Sequence, residues 1–453
     1  MILLQGGTKV TIEKIIVKKL YGEYNYEIGF DDKLTFLYGH NGCGKTTILN
    51  ILSSIITGKL YNLIEFNFRE VILFYVNNKN CNQSIRILIN DKINKDMEVD
   101  IEDNKFIIES IDVLKERLYR KAEDESIEEA FLEMYPFARK IKTIFNYVYL
   151  PLNRYGNDNI YADKDYYRYM YRHHYLIQQN PYNTYLNESL RYISDLIRNS
   201  CMNINVQENK INDKFRKDVL SASIKVSSDI PITRVFNEIE KCKWEEVLKS
   251  KEAYIKILMD IDVYDKKLQE EIEQFFVEFK KAYDDYRSQA NNEKFGIRID
   301  FAWQYAEFIK IKAIAELAKE NARIKEKIRK TKEMFSEVIN DFFSTSGTDK
   351  KIQISSDGKV SFESHGQNLE LKDLSSGEKQ LIITFASLIF GLKGKTKGIF
   401  IVDEPEASLH LEWQRKFVSA ILKTNKNIQL IFATHSPELI GEYSNKAVKL
   451  MKK

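Results

Sequence analysis

The sequence predicts an α/β fold: a mixed sheet with an antiparallel β layer, interrupted by a helical, partly coiled-coil insertion between its two halves. Three observations predict it. Short β-rich runs at the N-terminal end lead into a glycine-rich loop and a helix; a charged, helix-periodic block fills the middle; alternating strands and helices return towards the C-terminal end. This pattern divides the chain into residues 1–155, 156–345 and 346–453, with the outer two as halves of one domain.

Strands are expected at "KIIVKKL" (Lys14–Leu20), "YNYEIGF" (Tyr24–Phe30) and "KLTFLYG" (Lys33–Gly39). The last runs into "GHNGCGKTT", and "TTILNILSSII" behind it has helical periodicity. "EVILFYV" with "SIRILIN", then "MEVDIED" with "KFIIES", read as strand pairs of the antiparallel layer, and "NYVYLPLNRYG" as a buried strand leaving at Pro151. Further on, Leu268, Ile272, Phe275, Phe279, Ala282 and Tyr286 form a heptad seam. A second runs from Ile314 to Phe342, with polar intrusions at Asn321 and Thr331. The loop between them makes an antiparallel helical hairpin the economical expectation. "KKIQISSDGKVSFES" reads as a hairpin turning at Asp357-Gly358.

Composition sets limits. A chain of 453 residues can form two or three domains, and 43% apolar with 30% charged residues is ordinary for a soluble protein. The net charge of +3 argues for neither nucleic acid nor a membrane by itself. No apolar run is long enough to span a bilayer, and the first residues lack the basic segment of a signal peptide. Cys43, Cys81, Cys201 and Cys242 are scattered without metal-site spacing, which points to free thiols in a reducing cytoplasm.

Gly39-His40-Asn41-Gly42-Cys43-Gly44-Lys45-Thr46 matches the spacing of a phosphate-binding P-loop in full. Backbone N–H groups from Gly39, Asn41, Gly42, Cys43, Gly44 and Thr47 would cradle phosphates, Lys45 would pair with the β/γ oxygens, and the Thr46 hydroxyl would ligate Mg²⁺. ATP and Mg²⁺ are the ligands expected. The apolar strand "GIFIVDEP" ends in Asp403, expected to hold the metal, and Glu404, expected to act as general base. His435 ends another strand, "LIFATHSPE", and is expected to contact the γ-phosphate. Glu406 is the weaker acidic candidate, on the following loop. Tyr24 and Tyr26 read as core or strand-pair tyrosines ahead of adenine stacking.

Together these elements resemble the ABC-type ATPases. "LSSGEKQ" is similar to their signature loop, with Ser376 where the family usually has glycine and Glu378 where transporters usually have glutamine. The "GEKQ" form is that of the SMC, RecF and OLD branch. By this resemblance, Ser375, Ser376, Gly377 and Glu378 would close over the γ-phosphate held by a second protomer. Two ATPs would then lie in a head-to-tail homodimer, open to higher oligomers, with "PEASLH" as the D-loop and Glu404 as the hydrolytic glutamate. The resemblance covers Lys14–Thr57 and Leu371–Ile440. No Q-loop glutamine stands out; Gln83, in a polar turn, and Arg154 are the candidates.

"SLHLEWQ" and "ATHSPELI" are similar to compact OLD/RecF-type ATPases, including those of anti-phage systems such as Septu and PARIS. The resemblance implies an ATP-hydrolysing switch in bacterial defence. No Toprim domain follows His435, so a nuclease output would need a separate effector protein. The alternative is a RecF/SMC-like repair ATPase that binds DNA directly. The Tyr/Arg-rich stretch Tyr155–Tyr192 fits packing or docking first and nucleic acid second; the basic run "RIKEKIRKTK" has the same alternatives, with a solvated helix face as the default.

Overall fold

The computed structural model describes residues 10–77, 81–90, 96–102, 104–110, 113–114, 117–118, 127–150, 181–225, 242–260, 265–288, 295–345, 347, 349–392 and 397–452. The strands are β1 (Thr11–Leu20), β2 (Tyr24–Gly29), β3 (Leu34–Tyr38), β4 (Glu70–Val76), β5 (Asn82–Ile89), β6 (Met97–Ile101) and β7 (Asn104–Ile108). They continue as β8 (Tyr147–Leu150), β9 (Lys350–Ile354), β10 (Val360–Ser364), β11 (Gln367–Leu369), β12 (Gly398–Asp403), β13 (Ile428–Thr434) and β14 (Ala447–Lys449). The helices used below are α1 (Lys45–Ile56), α2 (Ile127–Met134), α3 (Phe137–Ile144), α4 (Pro181–Lys225), α5 (Trp244–Asp260), α6 (Lys266–Ser288) and α7 (Phe295–Thr345). α8 (Ser376–Ala386), α9 (Leu411–Thr424) and α10 (Pro437–Ile440) complete the set.

The central sheet is parallel, in the order β14-β3-β13-β12-β8. Every residue of β12 and β13 is buried, as expected of strands covered on both faces. Register decides where the chemistry falls. Asp403 pairs with Ala433, and Thr434 with Tyr38, so β12, β13 and β3 all end on one edge of the sheet. The P-loop, the acidic pair and His435 leave from that edge. A second sheet, β2-β1-β4-β5-β6-β7, is antiparallel throughout and shares a core with α1, α2 and α3. The expected antiparallel layer and mixed α/β architecture with a helical insertion are therefore present.

One buried polar side chain joins the two sheets. Gln429 of β13 is fully buried; its Oε1 accepts from Ile12 N at 2.9 Å, and its Nε2 donates to Ile12 O at 2.7 Å and Asp31 O at 2.9 Å. The β1–β4 register shifts between Ile12 and Lys14, and the Gln429 amide serves the backbone groups at that irregularity. Gln429→Leu would leave three backbone groups unpaired. It is expected to destabilise the fold by about 2–4 kcal/mol, read as a lower urea midpoint; an unchanged midpoint would refute this account.

The C-terminal end of α7 is fixed by α9. Its last turns carry carbonyls with no intrahelical donor. Trp413 Nε1 donates to Phe342 O at 3.0 Å, and Lys416 Nζ to Asp341 O at 2.6 Å and to the Thr345 hydroxyl. The Lys416 ammonium also stands 4.4 Å from the Phe342 ring centroid. Phe335, Phe342 and Phe343 share a core with α8, α9 and the central sheet, together with Leu190, Ile193, Ile197 and Cys201 of α4.

The described contacts divide the chain into two compact units, residues 1–201 with 332–453, and residues 202–331. In the second unit Phe279 lies 5.7 Å from Phe301, 5.2 Å from Phe308 and 5.8 Å from Trp244 (ring centroids), at the centre of an aromatic core. The first seam on α6 is buried along Ile272 and Phe279 as expected. It meets Phe301, Tyr305 and Phe308, which precede the second seam, rather than the positions from Ile314 onward. Phe335, Val338 and Phe342 of the second seam belong instead to the core around the central sheet. The middle of α7 carries Arg329, which forms a two-pronged ion pair with Glu208 of α4. α4 itself, 45 residues long, was not anticipated as a helix of that length. The Tyr/Arg-rich stretch lies outside the described residues up to 180, as does Arg154.

Candidate functional site: a phosphate loop, an acidic strand end and a histidine

The P-loop is held from beneath. Gly44 caps α1 with φ +98°, a conformation that side chains rarely adopt, and an added Cβ would lie 2.8 Å from the Tyr26 hydroxyl. That hydroxyl donates to Cys43 O at 2.9 Å, so Tyr26 is a buried strut of the loop. Tyr24 instead lies under the Lys452 ammonium, 4.3 Å from its ring centroid. Cys43 is buried with its thiol against Gly39, the position of a small residue that fits.

Lys45 is 5% exposed, and its ammonium donates to Gly39 O at 3.2 Å. It lies 2.5 Å from His435 Nε2. An ammonium can only donate, so His435 must present the Nε2 lone pair and carry its proton on Nδ1. His435 Nε2 is in turn 3.6 Å from Glu404 Oε1, too far for a hydrogen bond. Lys45, His435 and Glu404 thus converge from three different strand ends.

Asp403 is 2% exposed, and neither carboxylate oxygen accepts a hydrogen bond of good geometry. Burial, assisted by the charges of Glu404 and Glu406, raises its carboxyl to about 6 against the opposing effects of the neighbouring Thr46 hydroxyl and Lys45. A buried acid with bare oxygens beside Thr46 suits a divalent cation, which would supply the missing counter-charge. The residues present therefore fit Mg²⁺. Glu404 has φ +46°, a left-handed backbone at a non-glycine residue, and such strain gathers where a side chain must be aimed. Glu404 N donates to Ala433 O at 2.8 Å, which continues the β12–β13 pairing into the loop.

The signature stretch opens α8. Ser375 caps the helix, accepting from Glu378 N at 3.4 Å, while Glu378 Oε2 accepts from Ser375 N at 2.7 Å. Lys350 of β9 reaches both Glu378 oxygens, at 2.8 and 3.1 Å. Burial alone would raise the Glu378 pKa, but Lys350 and the Ser375 amide outweigh it and hold the acid below its ordinary value. Glu378 is thus engaged within its own chain as the anchor of the loop, whereas Ser375 and Ser376 are exposed. Gly377 allows a close approach: an added Cβ would lie 2.4 Å from Ser408 O, so the signature helix rests directly on the loop after Asp403.

Gln83 does not lie in a turn. It sits within β5, paired with Tyr75 in the antiparallel layer, where the polar run Asn82-Gln83-Ser84 begins a strand. Sequence reasoning also underrated Glu406. Its Oε1 accepts from Thr434 Oγ1 at 2.7 Å, His435 N at 2.7 Å and Ser436 N at 3.1 Å. Nothing in the sequence marks this role, which depends on β12 and β13 being neighbours. Among the described residues there is no cluster of His, Cys, Asp and Glu suited to a further metal. No helix among them is long and apolar enough to cross a membrane.

A family profile described as "AAA ATPase domain" matches residues 11–440. The Retron Vc95 probable ATPase of Vibrio cholerae serotype O1 biovar El Tor is 32% identical over 98 residues, 19% of each chain. The Retron Ec83 probable ATPase of Escherichia coli is 31% identical over 96 residues, 19% of this chain and 17% of that one. The chain therefore spans about a fifth of the length of these relatives. Among solved structures, the Smc head domain bound to the C-terminal domain of ScpA, derived from Pyrococcus furiosus, aligns with TM-score 0.42 and 14% identity. That alignment covers 97% of this chain and 93% of that one. The SMC head domain from Thermotoga maritima gives 0.39 and 9%, over 96% and 92% of the two chains. A match running through nearly the whole chain decides the assignment: the protein belongs to the AAA ATPase domain family.

Proposed function

We propose that this protein binds and hydrolyses ATP as a dimeric nucleotide-dependent switch of a bacterial anti-phage defence system, controlling a separate effector, in the nuclease class. The observation that carries the reading is the convergence of Lys45, His435 and Glu404 beside the bare Asp403 carboxylate. Gly39, Asn41, Gly42, Cys43, Gly44 and Thr47 cradle the phosphates, and Lys45 turns its ammonium to the β/γ oxygens. Thr46 and Asp403 would hold Mg²⁺, which would neutralise charge on the phosphate oxygens. Glu404 takes a proton from the attacking water, and His435 contacts the γ-phosphate.

The exposed serines at the start of α8, Ser375 and Ser376, meet the nucleotide of a second protomer, with Gly377 and Glu378 shaping and anchoring that loop. Residues 1–155 and 346–453, with the parts of α4 and α7 that share their core, form the ATPase head, and the rest of 156–345 carries its state to the effector in the cytoplasm. The fixed junction of α7 with α9 supports that route, since α9 follows the loop bearing Glu404. Similarity of one segment to retron ATPases and the resemblance of "ATHSPELI" to defence ATPases support the setting.

Ser376→Arg tests the two-protomer site. It is expected to leave nucleotide binding intact and to lower turnover about 100-fold or more, the scale of losing an oriented site; normal turnover would reject the arrangement. A second reading is a RecF/SMC-like maintenance ATPase acting on DNA, favoured by exposed Arg323, Lys327 and Lys330 on α7. Stimulation of turnover by duplex DNA would select it.

A further inference from the structure

Two carboxylates follow Asp403, and the ATPase reading uses only one. Glu406 lies two residues beyond Glu404 in a tightly wound loop: Ala407 N donates to Glu404 O and Leu409 N to Glu406 O, each at 3.0 Å. Its Oε1 gathers three donors from consecutive residues, the Thr434 hydroxyl, His435 N and Ser436 N. Strand β13 ends at Thr434, so beyond it no sheet ladder holds the backbone of His435. The Glu406 carboxylate takes the place of that ladder. Its Oε2 is buried and accepts no hydrogen bond. An arrangement chosen for stability would not leave a carboxylate oxygen bare, because burying it unpartnered is costly.

From this geometry, and resting on the ATPase reading above, we infer that Glu406 is a positioning residue: it fixes the backbone of His435 relative to the Glu404 loop, and so sets the imidazole between Lys45 and Glu404. One carboxylate ties the loop carrying the base to the residue facing it across 3.6 Å. Glu406 touches no reacting atom. It acts through His435.

The test is steady-state ATP hydrolysis by the wild type, Glu406→Ala, Glu406→Gln, His435→Ala and the Glu406→Ala/His435→Ala double variant, each with its thermal unfolding midpoint. Glu406→Ala is expected to lower kcat by about 10- to 100-fold, the cost of a displaced catalytic group, with KM for ATP changed less than about threefold. Glu406→Gln keeps an acceptor oxygen for the three donors and is expected to retain turnover within about threefold of the wild type. In the His435→Ala background, Glu406→Ala is expected to cost less than about twofold more, since residues acting as a unit are not additive. If the alanine variant does not fold, Glu406→Met, similar in length and without an acceptor, carries the same comparison.

Multiplicative losses in the double variant, or a glutamine variant as impaired as alanine, would overturn the inference while leaving the ATPase reading intact. So would a Glu406→Ala with normal kcat. An inactive wild type, or a His435→Ala with normal turnover, would instead remove the site reading and this role with it.

Discussion

Replacing Glu404 with glutamine is expected to lower ATP turnover by about 10²–10⁴-fold, the range of a lost general base, while leaving ATP bound. Glutamine keeps the volume and one acceptor of glutamate, so the left-handed loop, the Asp403 carboxylate and the P-loop strut from Tyr26 have no reason to move. What disappears is the negative charge beside His435 and the capacity to accept a proton from water. Steady-state phosphate release and filter retention of labelled ATP measure the two halves of the expectation. Unaltered turnover would take the base role from Glu404; lost binding would mean that the carboxylate organises the nucleotide pocket instead.

Lys45→Ala should act at the other end of the reaction. Lys45 is the buried cation of the P-loop, already holding the Gly39 carbonyl and meeting the His435 ring. Its removal deletes a charge-assisted hydrogen bond to phosphate, worth about 3 kcal/mol or roughly 100-fold in affinity. The fold should survive, because α1 keeps its apolar face of Ile48, Leu52 and Ile55 in the core. Titration with a fluorescent ATP analogue checks the affinity, and an unchanged dissociation constant would remove Lys45 from the phosphate site. Glu404→Gln and Lys45→Ala thus separate hydrolysis from binding.

Much of this site is local in sequence and was therefore legible. A glycine-rich loop between a β-rich run and a helical run defines the P-loop, and an apolar run closing on Asp403-Glu404 defines a buried strand with an acidic end. What escaped is non-local. Glu406 binds three residues of a strand end nearly 30 positions away, and only the parallel pairing of Asp403 with Ala433 brings them together. Gln429 looks like a flaw in an apolar run until β1 is seen to offer it both backbone groups of Ile12, and Asp31 a third acceptor.

The helices failed for another reason. α4 buries Leu190, Ile193, Ile197 and Cys201, and most of the rest of its sequence is polar, so its apolar stripe is too short to announce 45 residues. The second heptad seam on α7 is real as a pattern. A pattern does not name its partner: the first seam packs on Phe301, Tyr305 and Phe308, while Phe335, Val338 and Phe342 of the second join a different core.

The measurement that bears most directly on the central claim is sedimentation of the Glu404→Gln variant with and without Mg·ATP. Hydrolysis is suppressed there, so bound ATP should hold two protomers together, and the sedimenting mass should rise from one chain to two. Adding Ser376→Arg to the same chain should return it to one chain with ATP still bound. A mass that ignores ATP, or a dimer that the exposed Ser376 can lose without consequence, would contradict a nucleotide site shared between protomers.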